Sequence, residues 1–229
     1  MYNQKTAILL FSRTTTDEAA SKTITKKTKL NFSVINGLQK HTLTEIKKTK
    51  LPFFISDENA QKQHSFAQKL KTAADAVFAE GFSRIIIVGN DCPELSALHF
   101  LKTDRELIKG NSVIGPDTNG GVYLIGITKE LFASLDFEKI NWQTSAVCSG
   151  IVEQLQSLST NFYILDKFTD INTYSDIISL LKKKLAPISF FHWLKNLFLH
   201  VRFSFPKSSH ENASFSHLTI ISRRGPPQC

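Results

Sequence analysis

Short apolar runs in this chain alternate with longer stretches whose apolar residues recur at helical spacing. Thr6 to Phe11 reads as a buried first strand, and Ser12 to Thr28 as a polar connection. Lys29 to Lys50 is rich in Lys and Thr; it is expected to mix loop with helix or strand. Leu51 to Ser56, with Pro52 near its start, reads as a second short strand. From Ser65 to Glu80 the period is clear. Phe66, Leu70, Ala73, Ala74, Val77 and Phe78 fall on one helical face, and Gly81 follows as the stop. Ile85 to Val88 is continuously apolar, the pattern of a strand covered on both faces.

Pro93 and Glu94 are suited to open a helix that runs to about Ile108. Val113-Ile114 and Val122 to Ile127 predict two strands flanking Gly120-Gly121. A helix over Ser145 to Leu158, a strand over Phe162 to Leu165 and a helix over Thr173 to Leu185, closed by Pro187, complete the series. The alternation predicts an α/β domain over residues 1–186, with a single doubly wound, mostly parallel sheet flanked by helices. Residues 187–229 are expected to form a C-terminal aromatic-rich amphipathic extension and tail. Within them Ser208 to Ser216 reads as a polar linker, Leu218 to Ile221 as a small edge strand and Arg223 to Cys229 as the end of the tail. The segment Ser189 to Phe205 has two readings: a helix buried on the main domain, or a peripheral membrane contact through 188–205.

Composition narrows the function classes. The 229 residues are enough for one large core, and the net charge of +8 favours anionic partners. The basic residues gather in Lys22 to Lys50, Lys182 to Lys207 and Arg223-Arg224. Charge alone supports nucleic-acid binding, and no recognised module accompanies it, so nucleic acid is not an expected partner. The three cysteines, Cys92, Cys148 and Cys229, are far apart and odd in number. Neither a disulfide framework nor a zinc pair is expected, and a cytoplasmic setting, with contact at the inner membrane face as the variant, fits. The N-terminus has no signal-like apolar region, and the chain has no GxGxxG, P-loop or GxSxG motif.

The candidate chemistry sits at strand exits. Asp91 lies three residues past Val88, where ligands of open α/β sheets bind. It is either a ligand for a hard divalent cation or the N-cap of the following helix. Asp170 and Asn172, two residues apart after the Phe162 strand, are placed to meet one cation; capping is the other role for Asn172. Gly120-Gly121 allows backbone to approach an anion, and a plain hairpin turn explains it equally. Arg13 and Lys22 flank the first connection, where they neutralise a diphosphate or are simply solvated. Cys92 is not expected to be a nucleophile, because the neighbouring carboxylate disfavours its thiolate.

Several motifs in order carry a resemblance. They are Ile8-Leu9-Leu10-Phe11-Ser12-Arg13, Gln61 to Leu70, Gly89-Asn90-Asp91-Cys92-Pro93-Glu94-Leu95, Gly115-Pro116 through Gly126, Trp142 with Thr144, Asp170-Ile171-Asn172-Thr173 and Arg224-Gly225-Pro226-Pro227. Over most of residues 5–186 the chain resembles bacterial glycosyltransferases of the selenium-domain-associated transferase type. These have the GT-A-like, nucleotide-diphospho-sugar transferase fold, shared with molybdenum-cofactor and phospholactate guanylyltransferases. The resemblance implies a metal-dependent transfer from a nucleoside-diphosphate sugar to a small-molecule acceptor. It implies Mg²⁺ or Mn²⁺ on Asp91, Asp170 and Asn172, nucleotide contacts from Arg13 and Lys22, and substrate contacts from Asn119, Gly120 and Gly121. Asp91 and Asp117 are the implied catalytic carboxylates, Asp117 as a candidate base. Two alternatives accompany it. One is nucleotidyl transfer from a nucleoside triphosphate, as in the guanylyltransferases. The other is a binding protein on the same fold, since Asn119 and Asn172 stand where the family has aspartates.

Overall fold

The computed structural model describes residues 5–61, 64–183 and 187–203. Six strands form one sheet in the order β2-β1-β3-β5-β4-β6. They are β1 (Thr6–Phe11), β2 (Phe53–Ser56), β3 (Arg84–Val88), β4 (Ser112–Pro116), β5 (Val122–Thr128) and β6 (Phe162–Ile164). β1 is parallel to β2 and β3, and β4 is parallel to β6; β5 alone runs against its neighbours, β3 and β4. A tight turn between β4 and β5 leaves no room for a crossover, so that pair must be a hairpin. The expected mostly parallel α/β sheet is what forms.

Side chains of β1 and β3 alternate between the two faces, each covered by helices. Ala7, Leu9, Ile85 and Ile87 meet α3 (Phe66–Ala79) and α6 (Val147–Ser157), with α5 (Lys129–Ser134) closing that layer through Phe132. Ile8, Leu10, Ile86 and Val88 meet α4 (Ala97–Ile108) and Ile46 of α2 (Thr28–Lys48). The predicted apolar face of α3 is buried, Ser65 caps its first turn, and Gly81 takes φ +91° at its end.

Three expectations need correction. The polar connection after β1 contains a short helix, α1 (Thr15–Ser21), none of whose residues is buried. Lys29 to Lys50 is no mixture but most of one 21-residue helix, α2. The helix expected from Pro93 starts at Ala97, because Cys92 to Leu95 first turn, with Leu95 N–H donating to Cys92 O at 3.3 Å. Glu45 of α2, nearly buried, then accepts the free N–H of Ala97 at 3.0 Å.

A third cluster lies beyond α2. Its outer face (Leu30, Val34, Ile35, Leu38) packs with Ile24, Ile171, α7 (Tyr174–Lys183) and α8 (Ile188–Phe203). Phe190 and Leu194 of α8 are buried there, and Phe191, Leu197 and Phe198 pack against them. The buried-helix arrangement therefore describes these residues, while Ile188, Trp193 and Leu199 remain exposed. The linker, edge strand and tail expected beyond residue 203 lie outside the described residues. Among the described residues no helix is long and apolar enough to cross a membrane.

Gly37 lets α8 approach α2: a Cβ added there would overlap the Trp193 ring. Gly37→Ala is expected to displace Trp193. Overpacking costs about 1–3 kcal/mol, more than the roughly 1 kcal/mol gained in helix propensity. The outcome is lower stability to denaturant together with a red shift of tryptophan emission.

Candidate functional site

The site is built at the carboxyl ends of β1, β3 and β6. A cavity of about 610 Å³ opens there, lined among others by Arg13, Glu18, Asp91, Trp142 and Asp170. That volume is of the size that holds a nucleotide or small organic ligand. β3 is buried along its whole length, which fixes where the following Gly89-Asn90-Asp91 emerges. Asp91 is not a helix cap, since α4 begins six residues later. Its backbone carbonyl accepts Ile171 N–H at 2.9 Å, tying the β3 exit to the segment after β6. That tie is what brings Asp91 and Asp170 to one place.

Lys22 Nζ donates to Asp91 Oδ2 at 2.7 Å and lies 3.9 Å from Glu18 Oε1. Its loop is fastened by the buried Asn31 of α2. Asn31 Oδ1 accepts the N–H groups of Ile24 and Thr25 (2.8 and 3.1 Å), and its amide donates to the carbonyls of Ala19 and Lys22 (3.2 and 2.8 Å). All four hydrogen-bonding positions of that amide are thus in use. Arg13 reaches the cavity from the other side of α1 and lies 3.8 Å from Asp17. The loop after β2 braces this corner, with Glu58 accepting Thr14 N–H at 2.7 Å.

Asp170 is the electrostatic centre. Its Oδ1 is sealed from solvent and has no hydrogen-bond partner. Burial, then the charges of Asp91 and Asp117, push its carboxyl up to about 8, with Lys22 opposing. In the metal-free protein it therefore holds a proton at neutral pH. The same negative charge acts on its surroundings. Burial and then Asp91 raise Glu18, and burial followed by Asp170 raises the Cys92 thiol well above its ordinary value. The carboxylates that disfavour the Cys92 thiolate are Asp170 and Glu94, not the adjacent Asp91 that the sequence suggested.

Asp117 is buried, and its carboxylate organises the β4–β5 turn. Oδ1 accepts Asn119 N–H at 2.6 Å and Gly121 N–H at 2.9 Å. Gly120 takes φ +90° and presses on the carbonyl of Ser145, while its own carbonyl accepts Cys148 N–H at 3.0 Å. Gly121 faces Asp117 Oδ2 with no space for a Cβ. Packing explains both glycines, and Asn119, Gly120 and Gly121 are not among the residues lining the cavity. Gly121→Ala is expected to push the Asp117 carboxylate off its turn and to lower stability by about 1–3 kcal/mol, as read by denaturant unfolding.

The structure thus brings Arg13, Asp91 and Asp170 to the cavity, with Lys22 bonded to Asp91 and Asp117 behind Asp170. Asn172 stands apart. It is exposed at the start of α7, where its N–H and that of Thr173 are accepted by Asp176 Oδ2 at 3.0 and 2.7 Å. Thr173, the other residue expected to open this helix, is the cap: its Oγ1 accepts Asp176 N–H at 3.3 Å. Among the described residues, no group of three His, Cys, Asp or Glu side chains is placed to hold a metal ion alone. A hard cation often takes only one or two protein carboxylates and completes its shell with water and substrate phosphates. The pair Asp91 and Asp170, with its orphaned buried oxygen, fits that requirement.

Residues 45–144, less than half of the chain, match a family model described as an uncharacterized protein conserved in bacteria (DUF2064). No curated protein matches. Among solved structures, a candidate nucleotide-diphospho-sugar transferase from Desulfovibrio desulfuricans G20 superposes with a TM-score of 0.70 at 18% identity, covering 86% of this chain and 97% of its own. A manganese complex of Rv0371C from Mycobacterium tuberculosis H37Rv gives a TM-score of 0.49 at 10% identity over 78% of this chain and 98% of its own. The chain therefore shares the fold of that candidate nucleotide-diphospho-sugar transferase.

Proposed function

We propose that this protein is a metal-assisted transferase that takes a sugar from a nucleoside-diphosphate sugar and passes it to a small-molecule acceptor. The observation that carries this reading is the meeting of Asp91 and Asp170 with Arg13 in one cavity at the strand exits, with Lys22 bonded to Asp91. Mg²⁺ or Mn²⁺ held by Asp91 and Asp170 would supply charge neutralisation for the leaving diphosphate. Lys22 is poised to exchange its carboxylate partner for a phosphate oxygen, and Arg13 adds a second cation on the same anion. Asp117 acts as a positioning residue: it holds Asp170 from behind while its own Oδ1 is occupied by the turn. As the bond between the sugar and the diphosphate breaks, its electron pair goes to the diphosphate, and the acceptor hydroxyl bonds to the sugar carbon and gives up its proton to solvent water.

Thermal-shift and calorimetric titration with UDP- and GDP-sugars, with and without Mn²⁺, tests the reading. Tight, Mn²⁺-dependent binding of a nucleotide sugar is the expected result, and no binding of any nucleotide sinks it. Preference for a nucleoside triphosphate over every nucleotide sugar marks nucleotidyl transfer on the same site. Binding that ignores both the metal and the loss of Asp91 marks a binding protein.

A further inference from the structure

The charged residues occupy only one part of the cavity. A second part is aromatic, and no step of the proposed transfer uses it. Phe11, Phe66 and Trp142 line it together with Gln143. Phe11 and Phe66 meet edge to face at 5.5 Å, and Phe66 lies 5.1 Å from Trp142. Trp142 is clamped in place: its ring stacks on Phe137 with an interplanar angle of 3°, and its Nε1 donates to Phe137 O at 2.7 Å. A side chain held that firmly keeps its shape when a ligand arrives.

The backbone carries a second mark. Among the described residues, three non-glycine residues have positive φ, and two of them, Lys50 and Ser159, follow helix ends where such a conformation is routine. The third, Gln143 at φ 62°, follows no α-helix; it sits beside Trp142 in the cavity wall. Strain of this kind gathers at ligand clamps. Lys69 and Arg13, both lining the cavity, place positive charge beside this wall.

We propose that the Phe66–Trp142 wall is a ring-stacking subsite for a flat ring carried by an anionic molecule, held by the ring faces and by Gln143 while its anionic group meets the basic side chains. The ring is either the nucleobase of the donor or a ring of the acceptor. The inference rests on the transferase reading for its place in the reaction, but not for the stacking itself.

The test uses the full chain with Trp193→Phe, so that Trp142, the other of two tryptophans, reports alone. Phenyl phosphate, UMP and GMP are titrated against glycerol 3-phosphate without metal. The expected result is quenching of Trp142 by the ring-bearing anions and affinity about tenfold or more above that of glycerol 3-phosphate. Phe66→Leu, which keeps an apolar side chain but removes the ring, and Trp142→Leu, read by calorimetry, should each bring that ratio close to one. Glycerol 3-phosphate binding should be unaffected. Displacement of phenyl phosphate by UMP or GMP assigns the ring to the nucleobase, and simultaneous binding assigns it to the acceptor. Equal affinity with and without a ring, or a ratio unmoved in Phe66→Leu, overturns the proposal. Mn²⁺-dependent binding of a nucleotide sugar without ring preference sinks this subsite alone. Ring preference without any nucleotide-sugar binding sinks the transferase reading alone.

Discussion

Asp91→Asn should weaken Mn²⁺-dependent binding of a nucleotide sugar by roughly a hundredfold or more while leaving metal-free binding no weaker. The replacement keeps the volume and removes the charge. A cation that had two carboxylates is left with Asp170 alone, and a neutral amide is a poor substitute for a hard ion. Lys22 loses the charge 2.7 Å away, keeps only the Glu18 carboxylate at 3.9 Å, and is easier for phosphate to recruit. The two effects act in opposite directions, and this makes the variant informative. Calorimetry with and without Mn²⁺ separates them, and an unchanged metal dependence would remove Asp91 from the site.

The second large effect concerns pH. Asp170 has a carboxyl raised from an ordinary 3.8 to about 8, chiefly by burial and then by Asp91 and Asp117. A raised acid favours the folded state while it is protonated. Its contribution is complete below the unfolded value and is lost as pH rises through about 8. Asp170→Asn imitates the protonated form at every pH. The metal-free variant is therefore expected to match the parent near pH 4 and to exceed it above pH 8 by several kcal/mol, with about 1.4 kcal/mol for each pH unit between those two values as the upper bound. Denaturant midpoints measured across that range check the sign; identical profiles would show that Asp170 carries no proton. The same variant should lose Mn²⁺ binding, so stability gained and cation lost appear in one molecule.

Much of the sheet was legible because its four inner strands, β1, β3, β4 and β5, are buried on both faces and so read as unbroken apolar runs, Ile85 to Val88 above all. α3 was legible because one face is apolar and the other is not. α2 was obscured by its position. It lies between two clusters and buries Asn31, His41, Thr42 and Glu45 as well as Leu30, Val34 and Ile46, so no single apolar stripe marks it. α1 buries nothing and left no period at all. At the site, Asp91 was visible from its place after a strand. Its link to Lys22, and the tie from its carbonyl to Ile171, join segments far apart in sequence, and periodicity carries no information about them. The Gly120-Gly121 pair was visible, yet its cause, a buried Asp117 wrapped by its own turn, depends on contacts that only the folded chain makes. Trp142 carried a resemblance without a role, because the rings that clamp it come from other elements.

The position of α8 sets a lower bound on the size of a working molecule. Asn31, which fastens the Lys22 loop, projects from the helix whose outer side α8 covers through Phe190 and Leu194. Every residue that would meet the cation and the phosphates lies before residue 184, yet a chain trimmed to that point would strip α2 of the Phe190 ring on His41 and the Trp193 ring against Gly37. The reacting part of this protein is thus smaller than the part that must be made to support it, and shortening for solubility has to begin after α8 rather than before it.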